Sequence, residues 1–301
     1  MAKMTPAFHF SRHNLWLVQL LIKWMPAAKP PADILVENTY IEGAEGQQKI
    51  RLRIYKPASN PAPTPVLIWL HGGGFIMGKP EMDDRRNMET VCETGIVIVS
   101  VDYRLAPRHP FPAGLEDSYA VLQWVGSHAQ QLGVDEERIA VGGVSAGGGL
   151  AAALAQLALD RQEIAPIFQL LVYPMLDDRT VLRTEIDDSL NSTWTQKSNC
   201  YGWESYLGQH CGSTDVPAYA VPGRRADLSG LPPAWIGVGT LDVFHDEDLD
   251  YAQRLQECGI ACETQVVPGA FHGFDVVNPR AAVVKTFQNA QITALKKHLF
   301  V

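Results

Sequence analysis

From Pro65 onward the chain alternates short unbroken apolar runs with longer stretches in which apolar residues recur every three or four positions. Such runs suit strands buried on both faces, and the intervening periodicity suits helices that cover them, so the pattern predicts an α/β fold with a mostly parallel sheet. The expected strands are 66–70, 96–101, 139–142, 168–173, 235–239 and 264–267, and the expected helices are 82–93, 114–132, 146–160, 246–258 and 280–299. Ahead of them, 34–41 and 49–55 read as two strands joined across the polar segment Glu42-Gly43-Ala44-Glu45-Gly46, an antiparallel opening. Near the N-terminus, Leu17, Leu20, Leu21 and Trp24 recur at helical spacing and predict an amphipathic helix packed on the body of the protein. A lysine, an arginine and an apolar run before Ala27-Ala28 loosely imitate a secretory signal, but Gln19 interrupts the run and Lys23, Trp24 and Pro26 follow it. No run is long enough to span a bilayer.

One interval breaks the rhythm. About sixty residues, 175–233, separate two strands that a short crossover would otherwise join, and long connections of this kind are usually functional. With Trp194, Tyr201, Trp203 and Tyr206 among polar residues, the interval is expected to form a helical cap together with the N-terminal segment. The predicted organisation is therefore 1–45 as N-terminal cap helices and lead-in, and 46–301 as the main α/β domain with a cap insertion at 175–233. Leu17, Leu20, Leu21, Trp24, Trp194 and Trp203 are expected to offer apolar surface to a pocket beneath that cap.

Composition narrows the partners. Of 301 residues 46% are hydrophobic and 19% charged, enough for a large core and against disorder. A formal net charge of −8 lacks the basic excess that phosphate backbones require, so nucleic acid is not expected as a partner. The five cysteines are odd in number, scattered and without paired Cys-x-x-Cys spacing. This points to reduced thiols in a cytoplasm, with neither a disulfide framework nor a zinc site.

The strongest chemical signal is Gly143-Val144-Ser145-Ala146-Gly147, placed between the strand 139–142 and an Ala- and Leu-rich helix. A G-x-S-x-G string arises often by chance, but at a strand-to-helix turn it describes a nucleophile elbow that exposes the serine hydroxyl. A dinucleotide loop fails on spacing, because no G-x-G-x-x-G can be written here. His71-Gly72-Gly73-Gly74-Phe75 follows the strand 66–70 directly. Three glycines alone would read as a plain loop. With the elbow downstream, the amides of Gly73, Gly74 and Ala146 become the candidate oxyanion hole. Asp242 and His272 each follow a late strand, where reactive groups of an open α/β sheet collect, and the order Ser145, Asp242, His272 suits a hydrolase triad on such a sheet. His245, between two acids, is a surface alternative to be set aside.

Four motifs carry a specific resemblance: 71–75; Asp102-Tyr103-Arg104-Leu105-Ala106-Pro107 through His109-Pro110-Phe111-Pro112 to Glu116-Asp117; 143–148; and 242–247 with His272-Gly273-Phe274. The chain resembles the hormone-sensitive-lipase-like carboxylesterases, the bacterial family IV of the α/β-hydrolase superfamily. The resemblance implies hydrolysis of short- to medium-chain esters without metal or organic cofactor, a cap built from the N-terminus and the long insertion, and, as dimers are common among members, a homodimer as a candidate state. Two positions depart from it: Val144 stands where many members have aspartate, and Asp242-Val243-Phe244-His245-Asp246 replaces the usual Asp-Pro-Leu-Arg-Asp. Both bear on the pocket and leave the triad untouched. Amidase and long-chain lipase activities use the same triad and remain open, as does a ligand-binding module that has lost turnover, although all three triad residues are present here.

Overall fold

The structure, a computed structural model, describes residues 9–43, 48–59, 63–186 and 193–300. Its strands are β1 (Ile34–Glu42), β2 (Lys49–Pro57), β3 (Thr64–Leu70), β4 (Val97–Asp102), β5 (Val134–Val144), β6 (Phe168–Val172), β7 (Ala234–Gly239) and β8 (Cys262–Val267). They form one eight-stranded sheet in the order β1-β2-β4-β3-β5-β6-β7-β8. The β1–β2 and β2–β4 pairs are antiparallel and the remaining pairs parallel, as the hydrophobic pattern predicts. Of the turn expected at 42–46, Glu42 ends β1 and Gly43 donates its N–H to the Gln48 carbonyl at 2.7 Å, and 44–46 lie outside the described residues.

The two-residue period of the strands sorts the core into two layers. Val66, Ile68 and Leu70 point to one face, where α3 (Ala113–Ser127), α5 (Ala146–Arg161) and α7 (His245–Glu257) lie. Leu67 and Trp69 point to the other, covered by α2 (Asp84–Thr94) and α9 (Ala282–Leu299). Each fully buried aliphatic side chain in these layers contributes roughly 1.5–3 kcal/mol.

Three expectations change in detail. The predicted helix 114–132 divides at His128 into α3 and α4 (Ala129–Leu132), because His128 leaves the helical region at φ −115°, ψ 18°. Strand β5 begins five residues before its apolar run; the leading residues include Asp135, Glu136 and Glu137, and pairing of Val134 with Thr64 rather than hydrophobicity holds them in the sheet. The N-terminal helix α1 (Leu15–Lys23) forms, but with another face inward. Leu15, Val18 and Ile22 meet the core, whereas Leu17, Leu20, Leu21 and Trp24 are exposed. A helix apolar on nearly every side has no unique inner stripe, so tertiary contacts choose it.

The insertion 175–233 contains a 3₁₀ turn, Asp178–Leu182, and helix α6 (Gln196–Leu207). Trp194, Trp203 and Tyr206 are buried there, and the Phe75 ring lies 5.2 Å from Trp203 and stacks on Tyr206 at 4.1 Å. The N-terminal segment reaches the same region. Phe10 lies 5.5 Å from Trp194, and His9 Nδ1 is 2.9 Å from Thr195 Oγ1.

In α7, Asp248 is fully buried and neither carboxylate oxygen has a hydrogen-bond partner among the described residues. Burial, and then the neighbouring Glu247 and Asp242, push its carboxyl well above the usual range. Because the folded protein holds this proton more tightly than the unfolded chain, stability falls as pH rises through the ordinary carboxyl range toward the folded-state value. The loss is about 1.4 kcal/mol per pH unit over that window. Asp248→Asn removes the titration. Denaturant melts should therefore show the variant gaining on the wild type between pH 4 and pH 6; parallel pH curves would show that Asp248 is ionised in the fold.

Candidate active site

The three candidate triad residues come from distant parts of the chain and meet beyond the C-terminal ends of β5, β7 and β8. Ser145 occupies the turn between β5 and α5 at φ 58°, ψ −122°, a positive φ that a non-glycine residue adopts only under constraint. The constraint is packing. A Cβ on Gly147 would lie 2.0 Å from the Leu70 carbonyl oxygen, so only glycine lets the start of α5 press against the end of β3. The turn is clamped on both sides, as Ser145 N–H donates to the Val172 carbonyl at 2.9 Å and Met175 N–H donates to the Ser145 carbonyl at 3.0 Å.

His272 Nε2 lies 2.9 Å from Ser145 Oγ, and its Nδ1 lies 2.9 Å and 3.1 Å from the Asp242 carboxylate oxygens. Both contacts are within hydrogen-bond range. With Nδ1–H donating to Asp242, Nε2 presents its lone pair to the serine hydroxyl. The three side chains are nearly withdrawn from water, at 5%, 6% and 6% exposure for Ser145, Asp242 and His272. Asp242 also accepts the Phe244 N–H at 3.0 Å, which fixes the carboxylate independently of the histidine. The imidazole sits between two rings met edge-on, Tyr173 at 4.7 Å and Phe244 at 5.0 Å.

Tyr173 and Phe244 had no signal in the sequence beyond their place after strands. Burial pushes the Tyr173 phenol well up, so it keeps its proton and donates to Asp275 at 2.7 Å, while Asp275 is ion-paired with Arg86. This buried group ties the segment just after His272 to α2.

The segment 71–78 passes beside the serine, since a Cβ at Gly72 would lie 3.5 Å from the Ser145 Cβ. Gly73 and Gly74 adopt φ 125° and 59°, and the Gly73 carbonyl accepts N–H groups from Ile76 and Met77, both at 3.1 Å. A Cβ at Gly74 would fall 2.0 Å from the Trp194 ring, so the insertion rests directly on this loop. Ala146 is the first residue of α5, where an amide has no acceptor within its own helix. His71 is buried and its basicity lowered by that burial; its Nδ1–H donates to the Gly72 carbonyl at 2.8 Å and its ring stacks on Tyr103 at 4.3 Å. Tyr103 in turn donates its hydroxyl to the His71 carbonyl at 2.7 Å, and Ala106 N–H donates to the Phe75 carbonyl at 2.9 Å. The motif from Asp102 to Asp117 thus braces the glycine loop, with Arg104 paired to Asp117 at 2.8 Å at its base.

The surface alternatives separate cleanly. Asp246 is exposed and paired with Arg183 and with His245, both at 2.7 Å, and the hydrogen bond from His245 with the Arg183 guanidinium holds its carboxyl below the usual range. Neither Asp246 nor His245 belongs to the Ser145–His272–Asp242 cluster. Among the described residues no group of acids, histidines and cysteines is placed to hold a metal ion.

Comparison with known proteins places the whole chain. A family profile described as the alpha/beta hydrolase fold matches residues 67–276. The chain is 37% identical to carboxylesterase NlhH of Mycobacterium tuberculosis over 272 residues, 84% of this chain and 82% of the relative. It is 32% identical to an ethyl acetate hydrolase of Pseudomonas putida over 231 residues, covering 74% and 70% of the two chains. Among solved structures, a bacterial heroin esterase superposes with a TM-score of 0.91 at 35% identity, over 99% of this chain and 95% of that one. With its mostly parallel sheet, Ser-Asp-His order and these relatives, the chain is a carboxylic ester hydrolase that belongs to the hormone-sensitive-lipase-like family of the α/β-hydrolase superfamily.

Proposed function

We propose that Ser145, His272 and Asp242 form the catalytic triad of a cytoplasmic enzyme that hydrolyses short- to medium-chain carboxylic esters through an acyl-enzyme. The observation that carries this is the unbroken chain of hydrogen-bond contacts from Ser145 Oγ to His272 Nε2, and from His272 Nδ1 to Asp242, at 2.9 Å each. Neutral His272 takes the serine proton as Oγ attacks the ester carbonyl, and Asp242 stabilises the imidazolium. The amides of Gly73, Gly74 and Ala146 receive the negative charge that develops on the carbonyl oxygen. His272 then protonates the departing alcohol, and a water activated by the same imidazole releases the acid. The cycle calls for neither metal nor organic cofactor. Cytoplasmic residence is supported by the cysteines, none of which is joined in a disulfide among the described residues.

The acyl-chain range rests on the cap, formed by the N-terminal segment with the insertion. Trp194 sits against Gly74, and the next residue, Phe75, packs its ring with Trp203 and Tyr206, which puts buried aromatic side chains beside the candidate oxyanion hole. A small acyl group fits beside such rings, in keeping with the likeness to an ethyl acetate hydrolase. Across p-nitrophenyl esters, kcat/KM should peak between acetate and hexanoate and fall at least tenfold at laurate. Trp194→Ala should lift the longer esters relative to acetate, since each methylene newly buried adds about 0.8 kcal/mol. Equal rates for butyrate and laurate in the wild type would point instead to a long-chain lipase, and turnover of anilides at comparable rates would point to an amidase.

A further inference from the structure

The outward face of α1 has no role in the site just described. Trp16, Leu17, Leu20, Leu21 and Trp24 are 63%, 44%, 43%, 65% and 77% exposed, followed by Met25 at 40%. Residues of one short helix rarely present so much apolar surface to water without a partner. The helix cannot roll to hide them. Leu15, Val18 and Ile22 are committed to the core on the opposite side. Gln19 donates to the Ile76 carbonyl at 2.8 Å, and Lys79 Nζ donates to the carbonyls of Lys23 and Met25 at 3.1 and 2.9 Å.

Charge separates the same segment from the rest of the chain. Residues 1–31 hold Lys3, Arg12, Lys23 and Lys29 and no acid, whereas all 33 aspartates and glutamates lie beyond them in a chain of net charge −8. Arg12, Lys23 and Lys29 are exposed. Exposed tryptophan and leucine flanked by cations are the combination that seats a helix in the headgroup layer of an anionic bilayer, where indole rings settle and lysines meet phosphates. Among the described residues no helix is long and apolar enough to cross a membrane, so the contact is peripheral. A second copy of the chain is the poorer occupant, because it would press two acid-free cationic segments together.

We infer that α1 docks this enzyme on an anionic lipid surface through Trp16, Leu17, Leu20, Leu21 and Trp24. The acidic body orients away from such a surface, which brings the α1 side down. Since α1 lies on the loop 73–77 and Phe10 against Trp194, docking places the cap side of the site at the bilayer. That gives esters partitioned in the membrane a short path to Ser145, a consequence that rests on the esterase reading above.

The test uses the full chain as Ser145→Ala, so that lipid esters are not consumed. It is sedimented with vesicles of equal phosphatidylglycerol and phosphatidylcholine, and with phosphatidylcholine alone, at 0.1 M salt. Binding to the anionic vesicles is expected to exceed binding to the neutral ones at least tenfold, with a blue shift of tryptophan emission. Adding Trp16→Ser, Leu21→Ser and Trp24→Ser should reduce it at least tenfold. In the wild-type background the same three substitutions should leave p-nitrophenyl acetate hydrolysis within about twofold, which establishes folding. No binding to anionic vesicles, or binding the triple substitution leaves intact, overturns the inference. So does a dimer in sedimentation equilibrium that the triple substitution dissociates, because a second copy would then own the face. Failure of the wild type to hydrolyse any ester would overturn the catalytic reading instead, while the vesicle result would stand by itself.

Discussion

Ser145→Ala should lower kcat for p-nitrophenyl butyrate by about 10⁵-fold or more, the scale on which removal of a triad nucleophile acts. The substitution deletes a single atom, Oγ, whose one described partner is His272 Nε2 at 2.9 Å. It keeps the Cβ that the turn already accommodates at φ 58°, so no backbone strain is added. The clamps on residue 145 are backbone hydrogen bonds to Val172 and from Met175 and do not involve the side chain. Thermal unfolding should accordingly stay within a few degrees of the wild type. Some rate above that of water should survive, because the amides of Gly73, Gly74 and Ala146 would still meet the carbonyl oxygen. A fluorophosphonate should label the wild type on Ser145 and leave the variant unlabelled. If turnover persisted near the wild-type rate, or the label appeared on another residue, the serine mechanism would fail.

Asp242→Asn should cost about 10⁴-fold in kcat, while Asp246→Asn, four residues on, should change it by less than twofold. An amide nitrogen facing Nδ1 favours the imidazole tautomer that carries its proton on Nε2, and that nitrogen then points an N–H at Ser145 when it must accept a proton. Asp242 is 6% exposed and its carboxylate is held by the Phe244 amide at 3.0 Å, so it cannot swing away to relieve the conflict. Asp246 has an exposed side chain and takes part in surface ion pairs with Arg183 and His245. Exposed pairs of this kind contribute about 0–1 kcal/mol to stability and nothing to the reacting atoms. The comparison is read as kcat/KM for one soluble ester on both variants. A larger loss in Asp246→Asn would move the acid of the triad to α7 and contradict the geometry.

Much of this protein is legible along the chain because its signals are local. Unbroken runs such as 66–70 and 96–101 mark strands that water never reaches, and they sit at the centre of the sheet as β3 and β4. The elbow is local too, since glycine at 147 is demanded by the approach of Leu70 in the neighbouring strand and leaves its mark beside the serine. Asp242 and His272 could be chosen from many acids and histidines because each follows a strand, and strand ends are where a parallel sheet gathers its side chains.

What tertiary structure alone decided are matters of facing and neighbourhood. Helix α1 is apolar on nearly every side, so its periodicity could not say that Leu15, Val18 and Ile22 would turn inward and leave Trp24 and Leu21 in solvent. Strand β5 extends back through Asp135, Glu136 and Glu137 because β3 offers Val134 a partner, and polar residues give no hydrophobic notice of that. Tyr173, Phe244 and Trp194 join the site through contacts with residues tens to over a hundred positions away, as in the 4.7 Å approach of Tyr173 to His272. Periodicity reports which residues avoid water within one element; which element supplies the shelter is set by packing between segments that the order of residues does not bring together.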